Sequence, residues 1–93
     1  MRRKAKRDTI EREVVSLFQA YGFHVCQISA PGIPDLMIAD EHVIALVEVK
    51  SGKYGTLTTE QVEFHSTFPN PHCYVVRSLE DVAAVADELR GVT

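Results

Sequence analysis

The sequence predicts an α/β domain in which helices flank a central mixed sheet. Three observations predict it. Apolar residues recur at helical spacing near both ends of the chain. Four short apolar runs of strand length lie between them. Glycine, proline and clustered polar residues punctuate the boundaries. Read in order, these segments give α-β-β-β-α-β-α. At 93 residues, 45% hydrophobic and 25% charged, the chain has the composition of one small folded domain, not a disordered segment.

The first helix is expected to start near Asp8–Thr9, where Asp8 can cap and Glu11 follows three residues later. This divides the chain into a basic N-terminal arm, residues 1–8, and a folded domain, residues 9–93. Ile10, Val14, Leu17, Phe18 and Tyr21 form one apolar stripe, and Gly22 ends the helix. Glu11 sits at the margin of that stripe, three, four and seven residues before Val14, Val15 and Phe18. Phe23–Ile28 reads as a strand. Ala30-Pro31-Gly32-Ile33-Pro34 interrupts, and Asp35–Ala39 is a second, short strand. Asp40-Glu41-His42 is the polar turn of a hairpin leading into Val43–Lys50. That third strand is apolar nearly throughout, so it should be central and covered on both faces. Ser51–Leu57, with Gly52 and Gly55, reads as a loop. Thr58 and Gln61 form a capping box for a helix running to about Phe68, and Pro69-Asn70-Pro71 ends it. Cys73–Arg77 is the fourth strand. Ser78 to Asp81 caps the last helix, whose expected buried stripe is Leu79, Val82, Ala83, Ala86 and Leu89.

Composition excludes several classes. The longest apolar run, Val43–Val47, falls far short of the roughly 20 residues of a membrane helix. The basic N-terminus is followed by no apolar segment of the kind a secretory signal has. Cys26 and Cys73 show no metal-binding spacing and read as buried free thiols of a reducing cytoplasm, in a bacterial or phage-infected cell. The formal charge of −3 hides an asymmetry. Residues 1–12 hold six basic against two acidic side chains, and the remainder four against eleven. A basic arm on an acidic body can track a phosphate backbone, and clustered carboxylates on the body invite a divalent cation.

The chemistry concentrates at Val47-Glu48-Val49-Lys50. Alternation places Glu48 and Lys50 on one face of a strand otherwise made for a core. A charged pair there is costly unless paired or bound to a metal. The hairpin count brings Asp35, at the start of the preceding strand, level with Glu48. Two converging carboxylates form a hard-oxygen site of the sort magnesium prefers, completed by a backbone carbonyl and water. A metal beside a lysine suits hydrolysis, and a phosphodiester is the natural substrate.

These residues resemble a known family. Ile33-Pro34-Asp35, twelve residues, then Glu48-Val49-Lys50 is similar to the PD-(D/E)xK nuclease signature. A first-helix glutamate, Gly32-Ile33-Pro34-Asp35, Val47-Glu48-Val49-Lys50 and Thr58-Thr59-Glu60-Gln61, in that order, resemble its VRR-NUC branch. Glu11 to Val15 with Tyr21-Gly22-Phe23 also resembles the opening of archaeal Holliday-junction resolvases. The resemblance runs from about Thr9 to Val76 and implies a restriction-endonuclease-like core. It implies that Asp35 and Glu48 ligate a metal together with the Val49 carbonyl, that Lys50 orients or activates water, and that Glu11 binds a second metal or a metal-bound water, with Glu13 as runner-up. It also implies a role for Gln61 near the metal or the scissile phosphate, a role that competes with simple capping. Arg2, Arg3, Lys4, Lys6, Arg7 and Lys53 are the expected DNA contacts; Tyr54 and His65, like Lys53, could touch DNA or be ordinary exposed loop and helix residues. His24, His42 and His72 have no ligand spacing and are assigned nothing.

The function so implied is a magnesium-dependent, structure-selective DNA endonuclease, with manganese able to substitute. Its expected substrate is branched DNA, as for a Holliday-junction resolvase, and its expected state is a homodimer. The competing readings are a flap or nicking nuclease, the nuclease subunit of a larger complex, and a non-catalytic DNA-binding module. The intact Asp35, Glu48 and Lys50 set argues against the last.

Overall fold

The computed structural model describes residues 2–51 and 55–91, with side chains from Ile10 onward. The element order is α1 (Arg2–Ala20), β1 (His24–Gln27), β2 (Leu36–Ala39), β3 (Ile44–Val49), α2 (Thr59–Thr67), β4 (Cys73–Val76) and α3 (Leu79–Arg90). That is the order read from the sequence. The strands form one mixed sheet, β1-β2-β3-β4, antiparallel except for the parallel β3–β4 pair. Among the described residues no helix is long and apolar enough to cross a membrane.

One face of the sheet holds the core. Leu36, Ile38, Ala45, Val47, Val49 and Val76 pack there beneath Val14 and Phe18 of α1 and Val82, Ala86 and Leu89 of α3. α1 ends as a Schellman motif. Gly22, at φ +101°, donates its N–H to the Gln19 carbonyl (2.9 Å), and Phe23 donates to Phe18 (3.1 Å). The Phe23 ring then meets Phe18 edge-on at 6.0 Å, so the stop signal also seals the core.

Three expectations are corrected. α1 begins at Arg2, not near Asp8–Thr9, so the basic residues continue the helix. Arginine, lysine and alanine are strong helix formers, and no glycine or proline interrupts them. In α3 the stripe includes Val85, whereas Leu79 is 42% exposed and Ala83 only half-buried. Leu79 is the first residue after the Ser78 cap and borders a groove against α1. The third strand is central, but it is not covered evenly. Its second face carries Ile44, Leu46 and Glu48; α2 reaches it through the Gln61–Glu48 hydrogen bond but has no buried residue, and Ile44 stays 59% exposed.

Candidate active site

The site forms where the β2–β3 hairpin opens. Leu36 pairs with Val47, so the next position outward sets Asp35 opposite Glu48. Both project from the sheet face turned away from the α1–α3 core, because Leu36, Val47 and Val49 take the other face. Asp35 is held at backbone and side chain alike. Its carbonyl accepts from Ile28 N–H at 2.7 Å, and Oδ2 accepts from Val49 N–H at 2.9 Å. It thereby continues the sheet between β1 and β3. Pro34, fully buried, removes a backbone donor just before it and restricts how the chain enters β2.

The approach to Asp35 is shaped by Ala30-Pro31-Gly32-Ile33. Ile33 N–H reaches the Ala30 carbonyl at 3.2 Å and Gly32 has φ +79°, the arrangement of a type II turn with proline then glycine at its centre. A Cβ at Gly32 would stand 3.0 Å from the Glu60 Cβ, so glycine lets this loop close on the first turn of α2.

Glu48 is 0% exposed and Asp35 8%, which makes them the two buried acidic side chains among the described residues. Gln61 approaches Glu48 from α2. Its Nε2 donates to Glu48 Oε2 at 2.9 Å while its Oε1 accepts from the Thr58 N–H at 2.8 Å. Thr58 Oγ1 accepts from Gln61 N–H at 3.2 Å, completing the capping box. The capping and site readings of Gln61 hold together: one end of the amide caps α2, and the other fixes the carboxylate.

A cleft of about 480 Å³ opens beside this pair. Asp35 and Gln61 form one side, the 28–33 loop its wall, and Glu11 with Gln27 the side formed by α1 and β1. Gln27 Nε2 donates to Glu11 Oε2 at 3.0 Å. Glu13 is exposed and lines a different groove with Leu17 and Leu79. The helix therefore turns Glu11 toward the cleft and Glu13 away. Gln27 is a site neighbour that the sequence reading missed. Its only signal is a polar residue closing an apolar strand, and only the β1–β2 register shows that it ends beside the cleft.

Lys50 follows β3 directly and donates its backbone N–H to the Val76 carbonyl at 3.0 Å. It is half-buried on the Glu48 face and does not line the cleft. The backbones of Arg2, Arg3, Lys4, Lys6 and Arg7 lie in α1, and their side chains fall outside the description. Lys53 and Tyr54 lie outside the described residues. His65 faces inward: its Nδ1 is 3.3 Å from Cys73 Sγ, and its buried Nε2 has no hydrogen-bond partner. Burial lowers the His65 pKa. Burial and then the Glu48 charge raise that of Cys73. Both cysteines are free.

The donor set suits a hard divalent cation. Two carboxylates held side by side in a largely desolvated place repel one another, and a bound cation relieves that repulsion. Among the described residues no group of three or more histidine, cysteine, aspartate and glutamate side chains could hold a metal. The two buried carboxylates Asp35 and Glu48 match the one or two that magnesium, an ion that keeps much of its water, takes from a protein.

No family model and no curated protein matches the chain. A solved structure described as a VRR_NUC domain superposes with a TM-score of 0.76 at 26% sequence identity, covering 88% of this chain and 95% of that one. That likeness spans most of both chains and supports membership of the VRR-NUC family, a nuclease-like fold with the same mixed α/β organisation.

Proposed function

Starting from a VRR-NUC domain with two buried carboxylates level on adjacent strands, we propose a metal-dependent, structure-selective DNA endonuclease that acts on branched DNA as a homodimer, in the manner of a Holliday-junction resolvase. The observation that carries this reading is the Asp35–Glu48 pair, locked by the Val49 N–H and the Gln61 amide. Asp35 and Glu48, with the Val49 carbonyl, would hold magnesium or manganese; Glu11 would hold a second metal or a metal-bound water. When bound, the metal lowers the pKa of a coordinated water and offsets charge on a phosphoryl oxygen.

The chain's own residues do the rest. Lys50 orients the attacking water and stabilises the charge that builds on the phosphate. Gln61 keeps Glu48 in one rotamer, and Gln27 does the same for Glu11. Arg2, Arg3, Lys4, Lys6, Arg7 and Lys53 take phosphates, while the acidic remainder of the chain disfavours DNA elsewhere. So small a domain has little surface for reading bases, so it selects shape and backbone.

The test is to incubate the protein with four-way junction, flap and linear duplex DNA, with magnesium, with manganese and after exhaustive chelation. Paired incisions on the junction that vanish on chelation are expected. Cleavage that survives chelation would refute the metal mechanism, and preference for the flap would replace the resolvase reading.

A further inference from the structure

We propose that Arg77 is a positioning residue for Lys50, its guanidinium latching the Gly55 carbonyl so that Gly55 is held beside the base of the lysine side chain. The inference rests on Lys50 serving in phosphodiester hydrolysis.

The parallel β3–β4 pair brings the two residues together. Val49 pairs with Val76, and Lys50 N–H donates to the Val76 carbonyl at 3.0 Å. Lys50 and Arg77 are the next residues out, side by side where both strands end. Strand alternation gives them the Glu48 face. Two cations so placed repel one another unless one is drawn aside. The Arg77 Nη1 donates to the Gly55 carbonyl, and this contact draws it aside.

Gly55 lies close to Ser51, Lys50 and Arg77. A Cβ there would stand 3.0 Å from the Ser51 carbonyl oxygen, 3.4 Å from Lys50 Cβ and 3.6 Å from Arg77 Nη1. The guanidinium thus holds Gly55, whose missing side chain leaves only a narrow space before the root of the Lys50 side chain. Arg77 is itself anchored. Its N–H donates to Asp81 Oδ2 at 2.8 Å, and Asp81 N–H donates to Ser78 Oγ at 3.2 Å in the cap of α3. A line of hydrogen bonds runs from the cap of α3 through Arg77 to Gly55, which lies beside Lys50. Lysine has a flexible four-carbon stem with much rotamer freedom. Narrowing that freedom before substrate arrives favours a reactive geometry.

The test compares wild type, Arg77→Ala, Arg77→Lys, Lys50→Ala and Lys50→Ala/Arg77→Ala in single-turnover cleavage of a four-way junction with magnesium. Arg77→Ala should slow cleavage about tenfold, leaving DNA affinity and its salt slope unchanged, and Arg77→Lys should recover part of the rate. In the Lys50→Ala background the same change should cost less than about twofold, because its target is gone. Gly55→Ala, which crowds the Ser51 carbonyl, should slow cleavage as well and serves if Arg77→Ala does not fold. Amide exchange over residues 51–57, measured without DNA, should be faster in Arg77→Ala. A salt slope lowered by about 0.9 would make Arg77 a phosphate contact instead. An undiminished tenfold effect without Lys50, or unchanged exchange, would overturn the latch. If the wild type cuts no DNA the nuclease reading fails, and the exchange measurement alone then decides the latch.

Discussion

At the scale of single residues, the site is built from residues that each do two things. Asp35 finishes the sheet with its carbonyl and presents its carboxylate; Gln61 caps a helix with one end of its amide and holds Glu48 with the other. Asp35→Asn and Glu48→Gln keep an acceptor for those donors while deleting a charge. Both should abolish cleavage and leave the melting temperature of metal-free protein equal or higher, since a buried like-charge repulsion is removed. Normal cutting by either variant would mean that other carboxylates do the work, and a large drop in melting temperature would give these two a structural role. His65 makes a prediction of a different kind. Its folded pKa lies below the ordinary 6.5 because it is partly buried, so the unfolded chain binds a proton that the folded chain does not. Stability is therefore full above about pH 6.5 and falls as pH drops toward the lowered folded pKa. Urea midpoints should decline from about pH 7 to about pH 5 in wild type and less so in His65→Gln. Equal declines would place the acid sensitivity elsewhere.

Among the elements, α1 links two regions. From Ile10 onward it packs on the sheet and turns Glu11 toward the cleft; its first turns carry Arg2, Arg3, Lys4, Lys6 and Arg7 on the same helix. Because a helix rises about 1.5 Å per residue, phosphates bound there would lie within about three turns of Glu11. Deleting residues 2–7 should weaken binding to every DNA and flatten its salt dependence, by about 0.9 in log–log slope for every phosphate the arm neutralises, with the rate on saturated enzyme nearly unchanged. An unchanged slope would leave the basic turns as a solvated helix end. α2 is the complementary case. It buries no side chain and is tied to the sheet by the Gln61–Glu48 hydrogen bond and the His65–Cys73 contact. It is an element placed by its polar contacts more than by its core.

For the molecule as a whole, size and surface argue for a second copy. A 93-residue domain buries only about 60–65% of its unfolded surface. β1 and β4 are sheet edges, and Ile44, Val62 and Leu79 are large apolar side chains left more than 40% exposed. Leu79 borders the groove that Leu17 and Ala20 line between α1 and α3. A two-fold dimer would cover such surface and set two active sites in the fixed relation that paired incision of a junction requires. Light scattering at micromolar concentration should report about twice the 10.4 kDa chain mass. A strict monomer, with and without junction DNA, would remove the resolvase reading and leave a single-cut nuclease.

The chain by itself determined the local elements and the pairing of its chemistry. Periodicity, the Gly22 stop, the Asp40 turn and the Thr58–Gln61 box are short-range signals, and the hairpin between β2 and β3 is short enough for counting alone to set Asp35 level with Glu48. Glu11 was legible as a residue at the edge of the buried stripe, but choosing it over Glu13 required the packing of α1 against β1, which decides which side of the helix meets the cleft. Gln27 had only the faint signal of a polar residue closing an apolar strand, and Arg77 had none. Each owes its place to strands brought together from distant parts of the chain, Gln27 through the β1–β2 register and Arg77 through the parallel β3–β4 pair. The uneven covering of β3 was equally hidden, because an apolar run records that a strand is central and not how closely a helix approaches its second face. Patterns within a dozen or so residues are written in the order of side chains. Proximity across tens of residues arises only when the packed sheet fixes which ends meet.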